Sequence, residues 1–140
     1  MMPDYAAAIV SRLRADAALT AIVPASRIVM EMPDAKGMPQ SWVLVRKAGG
    51  TGAIGSHPYH RTRIDVHSYG ATGFEAFRVS RAVQAALIPT ERQSTRIHAH
   101  GCVIASVAME AGHMGLEAQE GWPFVLSSYA LTVYEVEVPV

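Results

Sequence analysis

Three groups of residues are of types that could do chemistry. The first is His98, His100 and Cys102, which alternate along the chain. On a strand they would share one face, and imidazole and thiolate are both good zinc ligands. Residues two apart on a strand lie about 6.8 Å apart along it. That is too far for three neighbours to converge on one ion held at roughly 2.1 Å, so a metal site here would need ligands from another chain. His57 and His60 could form a second pair, in a flexible segment. The plainer reading is polar surface histidines beside a buried cysteine.

The second group is Gly50-Thr51-Gly52-Ala53-Ile54-Gly55, which matches the dinucleotide fingerprint and follows an expected strand. That fingerprint works only when a helix N-terminus comes next to hold the pyrophosphate. Here His57 and Pro58 intervene and a second strand follows. The phosphate-loop pattern fails as well, because Ser56 and His57 stand where Lys and Ser/Thr are required. These glycines are expected in a mobile hairpin arm, and no nucleotide or other cofactor is expected. The third group is Arg63, Asp65 and His67, on one face of an expected strand. The trio invites an acid–base reading, but no nucleophile at a strained turn and no paired carboxylates accompany it. Charges alternating on a half-exposed strand more often pair across strands. No catalytic residue is therefore assigned.

The elements that carry these residues can be read in order. Residues 4–14 form an amphipathic helix with Ala6, Ile9, Val10 and Leu13 on one face and Asp4 as its cap. Asp16 caps a short turn through Val23, which Pro24 ends. Arg27 to Met32 is a short edge strand, and Ser41 to Lys47 a buried one. Residues 48–60 read as a flexible connection. Arg61 to Tyr69 is the central strand, with Ile64 and Val66 on the other side from the charged residues. Gly70 and Gly73 permit a turn, Thr72 caps the next helix, and Phe74 to Leu87 spans about 21 Å. Its apolar stripe is Ala76, Val79, Val83, Ala86 and Leu87. Phe74 and Phe77 lie off that stripe, so either a loop covers them or they face a partner. Ile97 to Glu110 reads as another strand, starting at Ile97 or near Cys102, with Val103, Ala105, Val107 and Met109 on one face. Residues 111–122 read as a second flexible connection. Pro123 to Val138 is strand-like and would extend to about 50 Å. It must bend at a bulge or reach beyond its own domain, with the tail EVEVPV ordered against a neighbour.

The totals fit one domain over residues 1–140 with a real core: half of the residues are hydrophobic. Formal net charge is zero and the sequence pI is about 7.0, which points to neither nucleic acid nor an anionic membrane as a tight partner. Low net charge also offers little defence against association, as suits a subunit of an assembly. A single cysteine excludes an internal disulfide and is compatible with a reducing cytosol. The first residues lack the basic start and apolar run of a signal peptide. No apolar run approaches the roughly 20 residues of a membrane span.

Taken together, IVSRLRADAALTAIV, ASRIVMEMP, SWVLVRK, RTRIDVHSYGATGFEAFRVSRAVQAAL and SSYALTVYEVEV follow one another in an order that resembles a known family. It is that of the tail terminator, or tail completion, proteins of long-tailed bacteriophages and phage-like particles such as gene transfer agents. The likeness covers nearly the whole chain and rests on pattern rather than signature residues. It implies an α+β subunit with a mixed or mainly antiparallel sheet of four to five strands flanked by two helices. It also implies a structural virion protein that forms a ring, commonly hexameric, assembled in the bacterial cytoplasm. Such a ring caps the tail tube at the tail–neck junction and meets the tube protein and the neck or head-completion protein. DNA passes its channel unread.

Surfaces for these contacts are expected at Gly50, Ile54, His57 and Tyr59 in the first connection, and at Phe74, Phe77 and Arg81 on the helix edge. Met114 and Trp122 in the second connection and Tyr134 on the last strand complete the set. The rival readings are a neck or head-completion subunit on the portal side and, from another class, a small His/Cys metal-binding domain or enzyme.

Overall fold

A computed structural model of the chain describes residues 4–31, 40–53, 59–89, 96–117 and 121–135. In chain order the elements are α1 (Tyr5–Arg14), α2 (Ala17–Thr20), a 3-10 turn (Ala25–Arg27), β1 (Ile28–Val29), β2 (Trp42–Ala53), β3 (Tyr59–Tyr69), α3 (Gly73–Leu87), β4 (Ile97–Ala99), β5 (Cys102–Glu117) and β6 (Pro123–Glu135). The strands make one six-stranded sheet in the order β1-β2-β3-β6-β5-β4. Only the β1–β2 pairing is parallel. The expected α+β class and mixed, mainly antiparallel sheet are observed. The expected four to five strands become six, and the two helices become three with the short α2.

All three caps read from the sequence form. Asp4 accepts from the Ala7 N–H at 3.0 Å, Asp16 from Leu19 at 2.9 Å and Thr72 from Glu75 at 3.2 Å. Each satisfies a first-turn donor that the helix itself cannot. Ile9 and Leu13 of α1, Val79, Val83 and Leu87 of α3, and Ile64 and Val66 of β3 are wholly buried in one core with Tyr129, Leu131 and Val133 of β6. Arg14 donates twice to the Ile28 carbonyl, at 3.0 and 2.8 Å, and so ties the short edge strand β1 to α1. No described helix is long and apolar enough to cross a membrane.

Two segments expected to be loose connections are strand instead. Residues 48–53 continue β2, with Gly50 opposite Thr62 and Ala53 opposite His60, so β2 and β3 form one long hairpin. Residues 111–117 continue β5 as far as Glu117, opposite Pro123. The glycines there weaken strand propensity, but the neighbouring strands supply the hydrogen-bond partners that the segments need. The last strand stays within its own sheet as far as Glu135, paired along its length with β3 and β5. The tail beyond Glu135 lies outside the described residues.

The bend expected of β6 falls on β5. The sixteen residues of β5 face thirteen of β6, and three register shifts absorb the difference. Extra residues of this kind twist and bend a strand. They also break the period of two: Ile104 and Val107 are buried in the core while Val103 and Ala105 are only half-buried. The expected single face Val103–Ala105–Val107–Met109 is therefore split by the shift between Ile104 and Ser106.

Gly70 sets how closely α3 approaches the end of β3. A Cβ there would lie 2.8 Å from both the carbonyl carbon and the Cβ of Glu75 and would collide with the Ala76 amide nitrogen. Gly70→Ala should destabilise the fold by about 2 kcal/mol or more, because backbone cannot yield as a flexible side chain can. Thr72→Ala should cost about 1 kcal/mol through the lost cap. Urea unfolding of the two variants against the parent checks both values and their order.

Candidate interaction surface

The helices cover one face of the sheet. On the other, cross-strand pairing aligns Arg63 with Ala130, Asp65 with Ser128, His67 with Leu126 and Tyr69 with Phe124. This face has two zones. At the Phe124 end the rings of His67, Tyr69 and Phe124 stack, with Phe124 centred 5.3 Å from His67 and 5.2 Å from Tyr69. Trp42 and Leu44 of β2 continue the zone, opposite Tyr69 and His67. At the other end a shallow groove of about 370 Å³ is lined by Arg61, Arg63, Ser106, Glu110, Ala130 and Thr132 among others.

The Arg63–Asp65–His67 trio does not assemble a catalytic centre. The Arg63 guanidinium reaches over β6, where the register partner Ala130 is small, to Glu110 at 3.5 Å. Both groups are about half exposed, and pairs of that kind contribute little to stability. Asp65 accepts from the Ser128 hydroxyl at 2.7 Å. His67 is held below its ordinary pKa by burial first and then by Arg46, with Asp65 opposing. These are the cross-strand partnerships expected of alternating charges.

His98, His100 and Cys102 do not share a face. His100 and Gly101 form the tight turn of the β4–β5 hairpin, with φ of 51° and 79°. Positive φ at both central residues suits the twist of a two-residue hairpin. His100 there bonds the Ser11 hydroxyl at 2.8 Å, and its carbonyl accepts from the Asp4 N–H at 3.2 Å, so the turn fastens onto α1. Among the described residues, no three His, Cys, Asp or Glu side chains group as metal ligands.

One polar cluster was not foreseen. The Ser127 hydroxyl lies 2.9 Å from that of Ser80, which lies 2.7 Å from His113 Nδ1; His113 Nε2 lies 2.9 Å from Gln84 Oε1. With the Gln84 oxygen as acceptor, Nε2 carries the proton and Nδ1 accepts from Ser80. A serine beside an imidazole suggests a nucleophile and its base. Ser80 is only 1% exposed, however, and no substrate can reach its oxygen. The cluster instead fastens the far half of β5 to α3 and β6. In the sequence His113 reads as part of a connection, where no partner for it can be inferred.

The expected contact residues are scattered. Phe74 is 78% exposed, Met114 48%, Tyr134 39% and Phe77 36%. Arg81 is exposed and Trp122 half-buried. Gly50 lies within β2, and Tyr59 opens β3 opposite Tyr134. Ile54 and His57 lie outside the described residues. Phe74 and Phe77 share one side of α3. The Phe77 ring packs at Gly115 of β5, with its Cε2 and Cζ 3.3 and 3.4 Å from where a Cβ would sit. Part of the aromatic pair is therefore covered by β5, in a segment that the sequence reads as a connection, and Phe74 remains open.

Burial, and then Arg81, holds His113 below its ordinary pKa, as burial and Arg46 do for His67. Both rings thus take up a proton less readily folded than unfolded. The native state should lose stability as pH falls below 6.5, the ordinary value, and the loss should level off once pH is below the folded values. A paired His67→Phe and His113→Leu variant should show a flatter acid-side decline, measured as urea midpoint against pH.

Comparisons with known proteins can be set beside this geometry. The fold is similar to a chain from a structure named "Virion of native gene transfer agent (GTA) particle", with a TM-score of 0.63 at 18% identity over 91% of this chain and 92% of that one. A second solved chain matches with a TM-score of 0.58 at 15% identity, covering 94% of each. No curated protein matches the sequence. The family model "Tail completion protein gp17" matches residues 7–107, the stretch from α1 through the hairpin turn into β5. The chain belongs to the tail completion protein gp17 family.

Proposed function

We propose that this chain is a structural subunit of a phage or phage-like particle. Copies of it form a ring, six in number, that caps the finished tail tube and presents the surface to which the neck of the filled head attaches. The observation that carries this reading is the family match over residues 7–107. Two features of the molecule support it. Large apolar side chains stand exposed at Phe74 and Met114, as expected of surfaces that a partner covers. The described polar clusters are satisfied among themselves or buried, as a scaffold requires, and none offers a nucleophile to a substrate.

In this role the protein works by shape. One end of the ring meets the tail tube protein, the other meets the neck or head-completion protein, and DNA passes through the channel unread. The site is the tail–neck junction of the particle, reached by assembly in the bacterial cytoplasm. A neutral chain suits such a channel, since tight phosphate binding would hold the DNA back.

The purified full chain should give one closed oligomer by native mass spectrometry, alone or on contact with tail tubes, and should bind purified tail tubes in preference to purified portal complexes. A strict monomer that never adds to tubes would sink the reading. Preference for portals would instead make the protein a head-completion subunit.

A further inference from the structure

Phe74 is the most exposed large apolar side chain among the described residues, at 78%. It stands in the first turn of α3, off the stripe that packs on the sheet. Its flank is charged. Arg78 lies one turn further along the same side of the helix and leans to Glu75 at 3.8 Å, and both groups stay partly exposed. This corner of α3 is thus a projecting aromatic ring beside an acid–base pair.

The opposite face of the sheet carries the converse shape. Two successive cross-strand pairs on that face join small residues, Ser106 with Thr132 and Ala108 with Ala130. They floor the groove of about 370 Å³. No side chain in these pairs is larger than threonine, so a ring laid there meets nothing bulky from either strand. Beside the floor, Arg63 of β3 and Glu110 of β5 reach toward each other over β6 at 3.5 Å, and they too are about half exposed. The groove is therefore an uncharged floor beside an acid–base pair.

Each pair alone is worth little to the subunit. Set against each other, with Glu75 on Arg63 and Arg78 on Glu110, they make a square of alternating charge. Covering a phenylalanine removes about 150–250 Å² from water, so the ring supplies the affinity. The charges fix the register and penalise the reversed arrangement. The chain has no formal net charge, so copies of it approach without long-range repulsion.

We propose that neighbouring copies join by seating Phe74 of one in the groove over Ala108 and Ala130 of the next. Glu75 and Arg78 of the first copy then meet Arg63 and Glu110 of the second. Ring and groove lie on opposite faces of the sheet, so the contact is head-to-tail and closes a ring when the rotation between copies divides a full turn. It deepens the ring reading above and rests on it.

The test uses the full-length chain under conditions where the parent forms rings, with oligomers followed by native mass spectrometry. Two variants each exchange the members of one pair: Glu75→Arg with Arg78→Glu, and Arg63→Glu with Glu110→Arg. Either exchange keeps the net charge and its own local pair but sets like charges across the contact. Each should weaken the contact about 10-fold. All four substitutions together should return it to within about 3-fold of the parent, as coupled sites do. Phe74→Ala should weaken it about 30-fold, the size of an interface hot spot. Exchanges that leave assembly unchanged, exchanges whose losses add without rescue, or rings that survive Phe74→Ala at parental concentrations would each overturn this contact and leave the ring intact. A parent that never assembles, alone or on tail tubes, would defeat the ring reading and the contact together.

Discussion

The pairing of β3 with β6 is the constraint on which the other features depend. It runs without a shift from Tyr59 opposite Tyr134 to Tyr69 opposite Phe124. Because side chains alternate with a strict period of two, that register fixes both faces at once. It sends Ile64, Val66, Tyr129, Leu131 and Val133 to the helices. It sends Arg63, Asp65 and His67 to the open face, where Ala130 and Ser128 are small enough for the charged groups to find partners. A slip of one residue would bury the arginine and the aspartate and expose the core, which no local repair could offset.

The strands on either side of this pair bend around it. Both β2 and β5 carry register shifts against their inner neighbours, while the central pair has none. Extra residues on the flanking strands curl the sheet about α1, which touches both sides. Asp4 lies 3.8 Å from Lys47 of β2, and its own amide donates to the His100 carbonyl in the β4–β5 turn. The cluster at His113 does the same for the far half of β5, fastening it to α3. The subunit is thus held stiff where its chain crosses the core.

Local signals in the sequence were enough for the helices and for β3. Asp4, Asp16 and Thr72 were legible as caps because a short oxygen-bearing side chain before an apolar periodic run has one main use. The stripe of α3 and the alternation of β3 were equally plain. The failures share a cause. AGGTGA at the end of β2 and AGHMGLE at the end of β5 lack the branched and aromatic residues of a good strand, and they are held by the partner strand rather than by propensity. The β5 shifts destroyed the period that would have revealed Val103 to Met109, and positive φ at His100 turned three apparently alternating ligands into a hairpin corner. Phe74, Phe77, Met114 and Tyr134 are exposed, but how α3, β5 and β6 set them relative to one another was not legible, because it exists only once the sheet order is known.

A cryo-electron microscopy reconstruction of the tail end of the assembled particle tests the central claim most directly. The expected map places a ring of these subunits on the head-proximal end of the tube. A tube end without this chain would contradict the tail completion ring.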